Sequence, residues 1–133
     1  MATQSAQLNI WQGAETKVDI QIFTGNNIPR DLTAEGIDGI DFVFAAKSDR
    51  AKVVESPTGG TGAITDGISG KISLTINEDA LDGINPSDVG VPALKEYEPA
   101  PSLFGYITLK SGTSVKDKVY LPDVAIYFEP KEA

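Results

Sequence analysis

The sequence predicts an all-β protein, an antiparallel β-sandwich of about seven strands. Three observations carry that prediction. Apolar and polar residues alternate with a period of two in several short runs, most clearly Lys71-Ile72-Ser73-Leu74-Thr75-Ile76. Clusters of Gly, Asn, Pro, Asp and Ser separate those runs and read as turns. No stretch carries the 3.6-residue apolar period of a long amphipathic helix. A jelly roll is the alternative built from the same ingredients.

The elements follow in order. Leu8-Asn9-Ile10-Trp11 is a short strand, and Gln12-Gly13-Ala14 a turn. Glu15 to Phe23 is a strand with Val18, Ile20 and Ile22 on one face and Lys17, Asp19 and Gln21 on the other. Gly25-Asn26-Asn27 supplies residues that tolerate positive φ, so the chain turns there. Ile28 to Thr33 is extended, because Pro29 biases its predecessor away from helix. Ile40 to Lys47 has Phe42 and Phe44 on one face and Val43 and Ala45 on the other, a pattern that suits a central strand covered on both sides. A turn around Ser48-Asp49-Arg50 leads to a strand over Ala51 to Glu55.

Ser56 to Gly67, with Pro57 and Gly59-Gly60-Thr61-Gly62, reads as a first long loop. After the Lys71–Ile76 strand, Asn77 is a good N-cap residue and Glu78 and Asp79 suit a first helical turn. Leu81 to Ser102, with Pro86, Pro92, Pro99 and Pro101, reads as the second long irregular stretch. Leu103 to Lys110 resumes as strand, with Phe104, Tyr106 and Thr108 opposite Gly105, Ile107 and Leu109. Ser111-Gly112-Thr113 turns the chain into Val115 to Glu129, where Pro122 marks an edge, a bulge or a break, since it cannot donate to a ladder. Neither an internal repeat nor a linker of distinct composition divides the 133 residues, so one domain over 1–133 is expected, with short polar arms at Met1–Gln7 and Glu129–Ala133.

Composition narrows the function classes. The chain has no histidine and no cysteine. That removes Ser-His-Asp and Cys-His nucleophiles, disulfides and thiolate metal sites. A formal net charge of −8 repels phosphate backbones and anionic lipid, so neither nucleic acid nor membrane is an expected partner. Met1–Gln7 lacks the basic and apolar regions of a signal peptide, and no run approaches the ~18 apolar residues of a membrane span.

The candidate chemistry is sparse. Gly59-Gly60-Thr61-Gly62 is not followed by Gly-Lys-Ser/Thr or by a helix, both of which a phosphate cradle needs, so it reads as a flexible connection. Asp79, Asp82, Asn85 and Asp88 recur at three-residue spacing and offer oxygen atoms to calcium, but without the alternate-residue spacing of an EF-hand; capping and turn chemistry account for Asp79, Asp82 and Asn85 as well. No carboxylate pair stands out as a glycosidase acid and base. The expectation is a protein that is not an enzyme and takes no cofactor. Tyr106 and Tyr127 fall in alternating strands and are expected in the core or between the sheets. Tyr97, with Leu94 beside it, and Trp11 are the candidates for exposed contact residues.

The order of elements resembles one family. The Gln12-Gly13 turn, the Thr16–Phe23 strand, Ile28-Pro29 leading to Asp31-Leu32-Thr33, the Ile40–Lys47 strand, Gly70-Lys71-Ile72-Ser73-Leu74-Thr75-Ile76 and Gly105-Tyr106-Ile107-Thr108-Leu109 together resemble the immunoglobulin-like N-terminal domain of tailed-phage baseplate upper proteins and related small virion proteins. This chain departs from it in the length of Leu81–Ser102. The resemblance implies an immunoglobulin-like sandwich and a structural virion protein located in the particle: a baseplate or tail adaptor, or a capsid-decorating module. Its partners would be other virion proteins, and copies of itself within the particle. The Ser56–Gly67 and Leu81–Ser102 loops and the N-terminal arm would carry the contacts. A carbohydrate-binding or adhesion module is the alternative.

Overall fold

The computed structural model describes residues 2–3, 8–47, 50–82, 84 and 99–127. Nine strands lie among them: β1 (Ala2–Thr3), β2 (Leu8–Trp11), β3 (Thr16–Gln21), β4 (Gly39–Ala46), β5 (Lys52–Glu55), β6 (Gly60–Asp66), β7 (Lys71–Ile76), β8 (Pro99–Ser111) and β9 (Ser114–Tyr127). They form two sheets. The larger has the order β1-β9-β8-β4-β5, with β2 also on β9; the smaller has the order β3-β7-β6. The described residues contain no helix, and the fold is the expected all-β sandwich.

The alternating sequence faces become the core. Val18, Ile20 and Ile22 from β3 and its continuation join Ile72, Leu74 and Ile76 of β7 as the inner face of the small sheet. Phe42 and Phe44 of β4, Ile107 and Leu109 of β8 and Val119 and Leu121 of β9 form the inner face opposite. These side chains make one continuous hydrophobic cluster, to which Leu32, Ile37 and Leu81 of the connections also belong. Gly105 stands opposite Phe44 in the β4–β8 register, and a Cβ there would lie 2.7 Å from Phe44 Cε1. Absence of a side chain at Gly105 is what gives the Phe44 ring its place.

Pro122 is accommodated in a bulge within one continuous strand. Leu103 pairs with Val124 and Gly105 with Leu121, so one residue of β8 faces two of β9. The parity of the inward side chains therefore switches along β9, from Val119 and Leu121 before the bulge to Val124 and Ile126 after it.

Four expectations are corrected. The sandwich is not wholly antiparallel: β1 and β2 both run parallel to β9, with Ala2 beside Val119 and Leu8 beside Val124. Ala2–Thr3 of the expected N-terminal arm is thus a strand on the chain's own sheet. Ser56–Gly67 is largely strand β6, not a loop, and pairs antiparallel with β7 from Gly60↔Ile76 to Asp66↔Lys71. Its glycines fit where side chains would not. A Cβ on Gly60 would collide with the Thr75 carbonyl oxygen and lie 2.9 Å from Phe42 Cζ, and one on Gly62 would lie 2.7 Å from Ile40 Cγ1. The missing side chains let β6 press down on β4 of the other sheet. The capped helical turn after Asn77 is instead a run of tight turns, in which the N–H groups of Ala80, Asp82 and Ile84 donate to the carbonyls of Asn77, Asp79 and Leu81. Finally, β8 begins at Pro99, ahead of the expected Leu103.

Candidate interaction surface

One end of the sandwich gathers three connections. The Ile22–Asp38 segment joins β3 to β4, the Gly67–Gly70 turn joins β6 to β7, and Gly112-Thr113 joins β8 to β9. Main-chain hydrogen bonds fasten them to one another. The Ile22 N–H donates to the Gly70 carbonyl at 2.8 Å, the Leu32 N–H to that of Gly67 at 2.8 Å, and the Asp38 N–H to that of Lys110 at 3.0 Å. The Asp38 carboxylate in turn accepts from the Gly112 N–H at 2.9 Å. Gly70 is required here twice over. Its φ is +69°, and a Cβ would sit 2.7 Å from the Arg30 carbonyl oxygen.

Arg30 clasps this end shut. Its guanidinium makes a two-pronged pair with Glu35, Nε to Oε2 and Nη2 to Oε1, both at 2.7 Å. Its remaining arm reaches Asp117 Oδ2 on β9 at 2.8 Å. The side chain is largely buried, and planar bidentate pairing is the geometry that suits arginine. The Glu35 hydrogen bond is the main cause that holds the guanidinium firmly protonated. The same bond holds the Glu35 carboxyl below the ordinary range. Burial pushes Asp117 up, but the hydrogen bonds from Arg30 and from the Lys118 N–H outweigh it, and its carboxyl also lies low. The long connection is thereby pinned to the large sheet.

The tips of this rigid end are apolar. Ile28 is 59% exposed, Ile68 67% and Val115 57%; among the described residues the remaining large exposed hydrophobic is Trp11, at 44%. Ile28 closes the tight turn in which the Thr24 N–H donates to its carbonyl at 2.8 Å. Ile68 is in the β6–β7 turn, and Val115 follows the β8–β9 turn. The end is also electrically balanced. Residues 22–38, 65–71 and 110–118 hold five basic side chains (Arg30, Lys71, Lys110, Lys116, Lys118) and five acidic ones (Asp31, Glu35, Asp38, Asp66, Asp117). The whole net charge of −8 therefore lies elsewhere.

Tyr106 is not a core residue. It stands half-buried on the outer face of the large sheet, with Phe104 and Tyr120 beside it. The strict alternation of Phe104, Tyr106 and Thr108 with Ile107 and Leu109 already separates the two faces; the apolar partners decide which is inward. The rings pack on one another, Phe104 edge-on to Tyr106 at 87° and Tyr120 tilted 40° from Tyr106. That arrangement turns ring faces and edges toward each other and offers no flat platform. Nearby, the hydrogen bond from Lys110 chiefly holds Asp41 below the ordinary carboxylate range.

Trp11 lies at the opposite end, where its main-chain N–H donates to Thr16 Oγ1 at 3.1 Å. Tyr97, Leu94, Asn85, Asp88 and the Tyr127 side chain fall outside the described residues, as does most of Leu81–Ser102. Among the described residues no group of three or more Asp or Glu side chains is placed to hold a metal ion. Among the described residues lie two shallow concavities, one of about 380 Å³ between β5, Gly59 and Asp79 and another of about 440 Å³ on the small sheet beside Asp19 and Lys71. Sequence reading missed Ile28, Ile68 and Val115. The signal was an apolar residue in or beside each of three turns, Ile28 after Gly25–Asn27, Ile68 within Gly67–Gly70 and Val115 just after Gly112-Thr113, where polar residues are the norm. No protein-family model and no curated protein matches the chain.

Proposed function

We propose that the chain is a binding module and not an enzyme, a structural component that docks onto a neighbouring protein through the end bearing Ile28, Ile68 and Val115. The observation that carries this reading is the placing of three exposed apolar side chains on or beside fastened connections at one charge-balanced end of an otherwise acidic molecule. Burying such tips contributes about 1.5–3 kcal/mol each. Loops already fixed by hydrogen bonds and by Arg30 lose little entropy on binding. Glu35, Asp41 and Asp117 are all held low by their basic partners, which fits structural ion pairs and not proton donors at neutral pH.

The resemblance to phage baseplate modules gives this reading its specific form: a virion protein contacting its neighbours in the particle. The test is co-sedimentation. Wild-type chain should travel with purified particles, and the Ile28→Asp/Ile68→Asp/Val115→Asp variant, folded by circular dichroism, should remain in the soluble fraction. Equal retention of the variant on particles would refute the docking end. A carbohydrate-binding module is the other reading, and the exposed ring of Trp11 is the feature that speaks for it. It requires glycan-array binding that Trp11→Ala abolishes.

A further inference from the structure

Strand β6 ends the small sheet, and among the described residues its outer edge is unpaired. There β6 pairs with β7 alone, and none of the remaining main-chain hydrogen bonds between described residues reaches Gly60–Asp66. Open edges are ordinarily blunted by shortness, charge or proline. The other edges here are. β1, β2 and β5 are two to four residues long, and β3 exposes Lys17 and Asp19. β6 is seven residues long, with no charge and no proline before Asp66; its register shift falls after Ile64, so Gly60–Ile64 forms a regular ladder. Its outward side chains, Thr61, Ala63 and Thr65, are small and exposed.

The alternation of the ladder decides which groups are free. The Asn77 N–H donates to the Gly59 carbonyl at 3.0 Å, so Gly59, Thr61 and Ala63 direct their main chain toward β7. Gly62 and Ile64 then direct theirs to the open edge.

We infer that β6 pairs antiparallel with β6 of a second copy, about a two-fold axis at Ala63. In this register Gly62 bonds Ile64 of the partner, Thr61 lies opposite the partner's Thr65, and Ala63 lies opposite the partner's Ala63. Threonine pairs facing each other across strands are favourable, and the register sets no like charges opposite one another over residues 61–65. Charge favours a second copy at this place. Two chains of −8 repel over most of their surface, and residues 60–65 carry no charge at all. The two small sheets would join into one six-stranded sheet, and the contact is isologous, so it closes as a dimer. This flank lies along β6 and is separate from the apolar tips. Its failure would leave the docking end standing.

The absence of native cysteine makes the test direct. Non-hydrogen-bonded antiparallel neighbours have Cα atoms about 4.5 Å apart, within the ~4.4–6.8 Å that a disulfide spans. Ala63→Cys should therefore oxidise to a covalent dimer on its own. Thr61→Cys should cross-link with Thr65→Cys when the two are mixed, and neither should do so alone. Sedimentation of the wild type at physiological ionic strength should show a dimer that Ala63→Lys abolishes, because two lysines would then stand opposite each other. A monomeric wild type, a dimer that persists in Ala63→Lys, or cross-linking that ignores this register would each overturn the inference. Where Ala63→Lys fails to fold, the cysteine pattern decides alone.

Discussion

Gly60→Ala is the substitution most telling about how the two sheets meet. The added Cβ would collide with the Thr75 carbonyl oxygen, which belongs to the β6–β7 ladder, and would lie 2.9 Å from Phe42 Cζ, a ring with no solvent exposure to retreat into. Neither obstacle can move without disturbing a strand or the core. Overpacking of this kind costs about 1–3 kcal/mol, and the stiffer unfolded chain of an alanine variant returns about 0.4–1 kcal/mol. For Gly60→Ala the overpacking cost lies at the upper end of its range, and the expected net loss is about 2 kcal/mol. Gly62→Ala meets Ile40 Cγ1 at 2.7 Å and Cδ1 at 2.9 Å, a side chain that can partly rotate away, and should lose about 1 kcal/mol. Gly25 has nothing within 4 Å and serves as the control, expected to be neutral or slightly stabilised. Urea denaturation is the assay. With a slope of about 1–3 kcal/mol per molar, Gly60→Ala should shift the midpoint down by about 1 M at unchanged slope. Equal midpoints for the Gly60 and Gly25 variants would refute the claim that glycine is there for close approach of the sheets.

Two further outcomes follow from the packing and the clasp. Phe44→Ala, which empties a fully buried ring site next to Gly105, should cost about 3–5 kcal/mol by thermal or urea melting. Arg30→Met should cost about 1–2 kcal/mol at neutral pH and flatten the acid limb of the stability curve. Glu35 and Asp117 are both held below their unfolded values, so their contribution is full above the ordinary carboxylate range and is lost as the pH falls below it. Urea midpoints across that interval should fall more steeply for wild type than for the variant.

The parts of the fold that were legible in the sequence are those set by local alternation. Val18-Asp19-Ile20, Phe42-Val43-Phe44 and Ile72-Ser73-Leu74 each display their inward face directly. What was not legible depended on a distant neighbour. The Gly59–Gly62 run has the composition of a loop, and it becomes strand because Ile40 and Phe42 occupy the space its side chains would need. The parallel seating of β1 and β2 on β9 leaves no periodic mark in either segment. Pro122 announced an irregularity, and the switch of inward parity from Leu121 to Val124 identified it as a bulge only once β8 was seen opposite. The proposed docking end was hidden for a similar reason. Ile28, Ile68 and Val115 are far apart in sequence and share one end only through the topology of both sheets.

The most direct measurement of the central claim is a reconstruction of purified particles by electron microscopy, with this chain fitted as a rigid body. The account predicts the sandwich at a fixed position, with Ile28, Ile68 and Val115 buried against a neighbouring protein. Particles that lack the chain, or that hold it with those three side chains facing solvent, would contradict it.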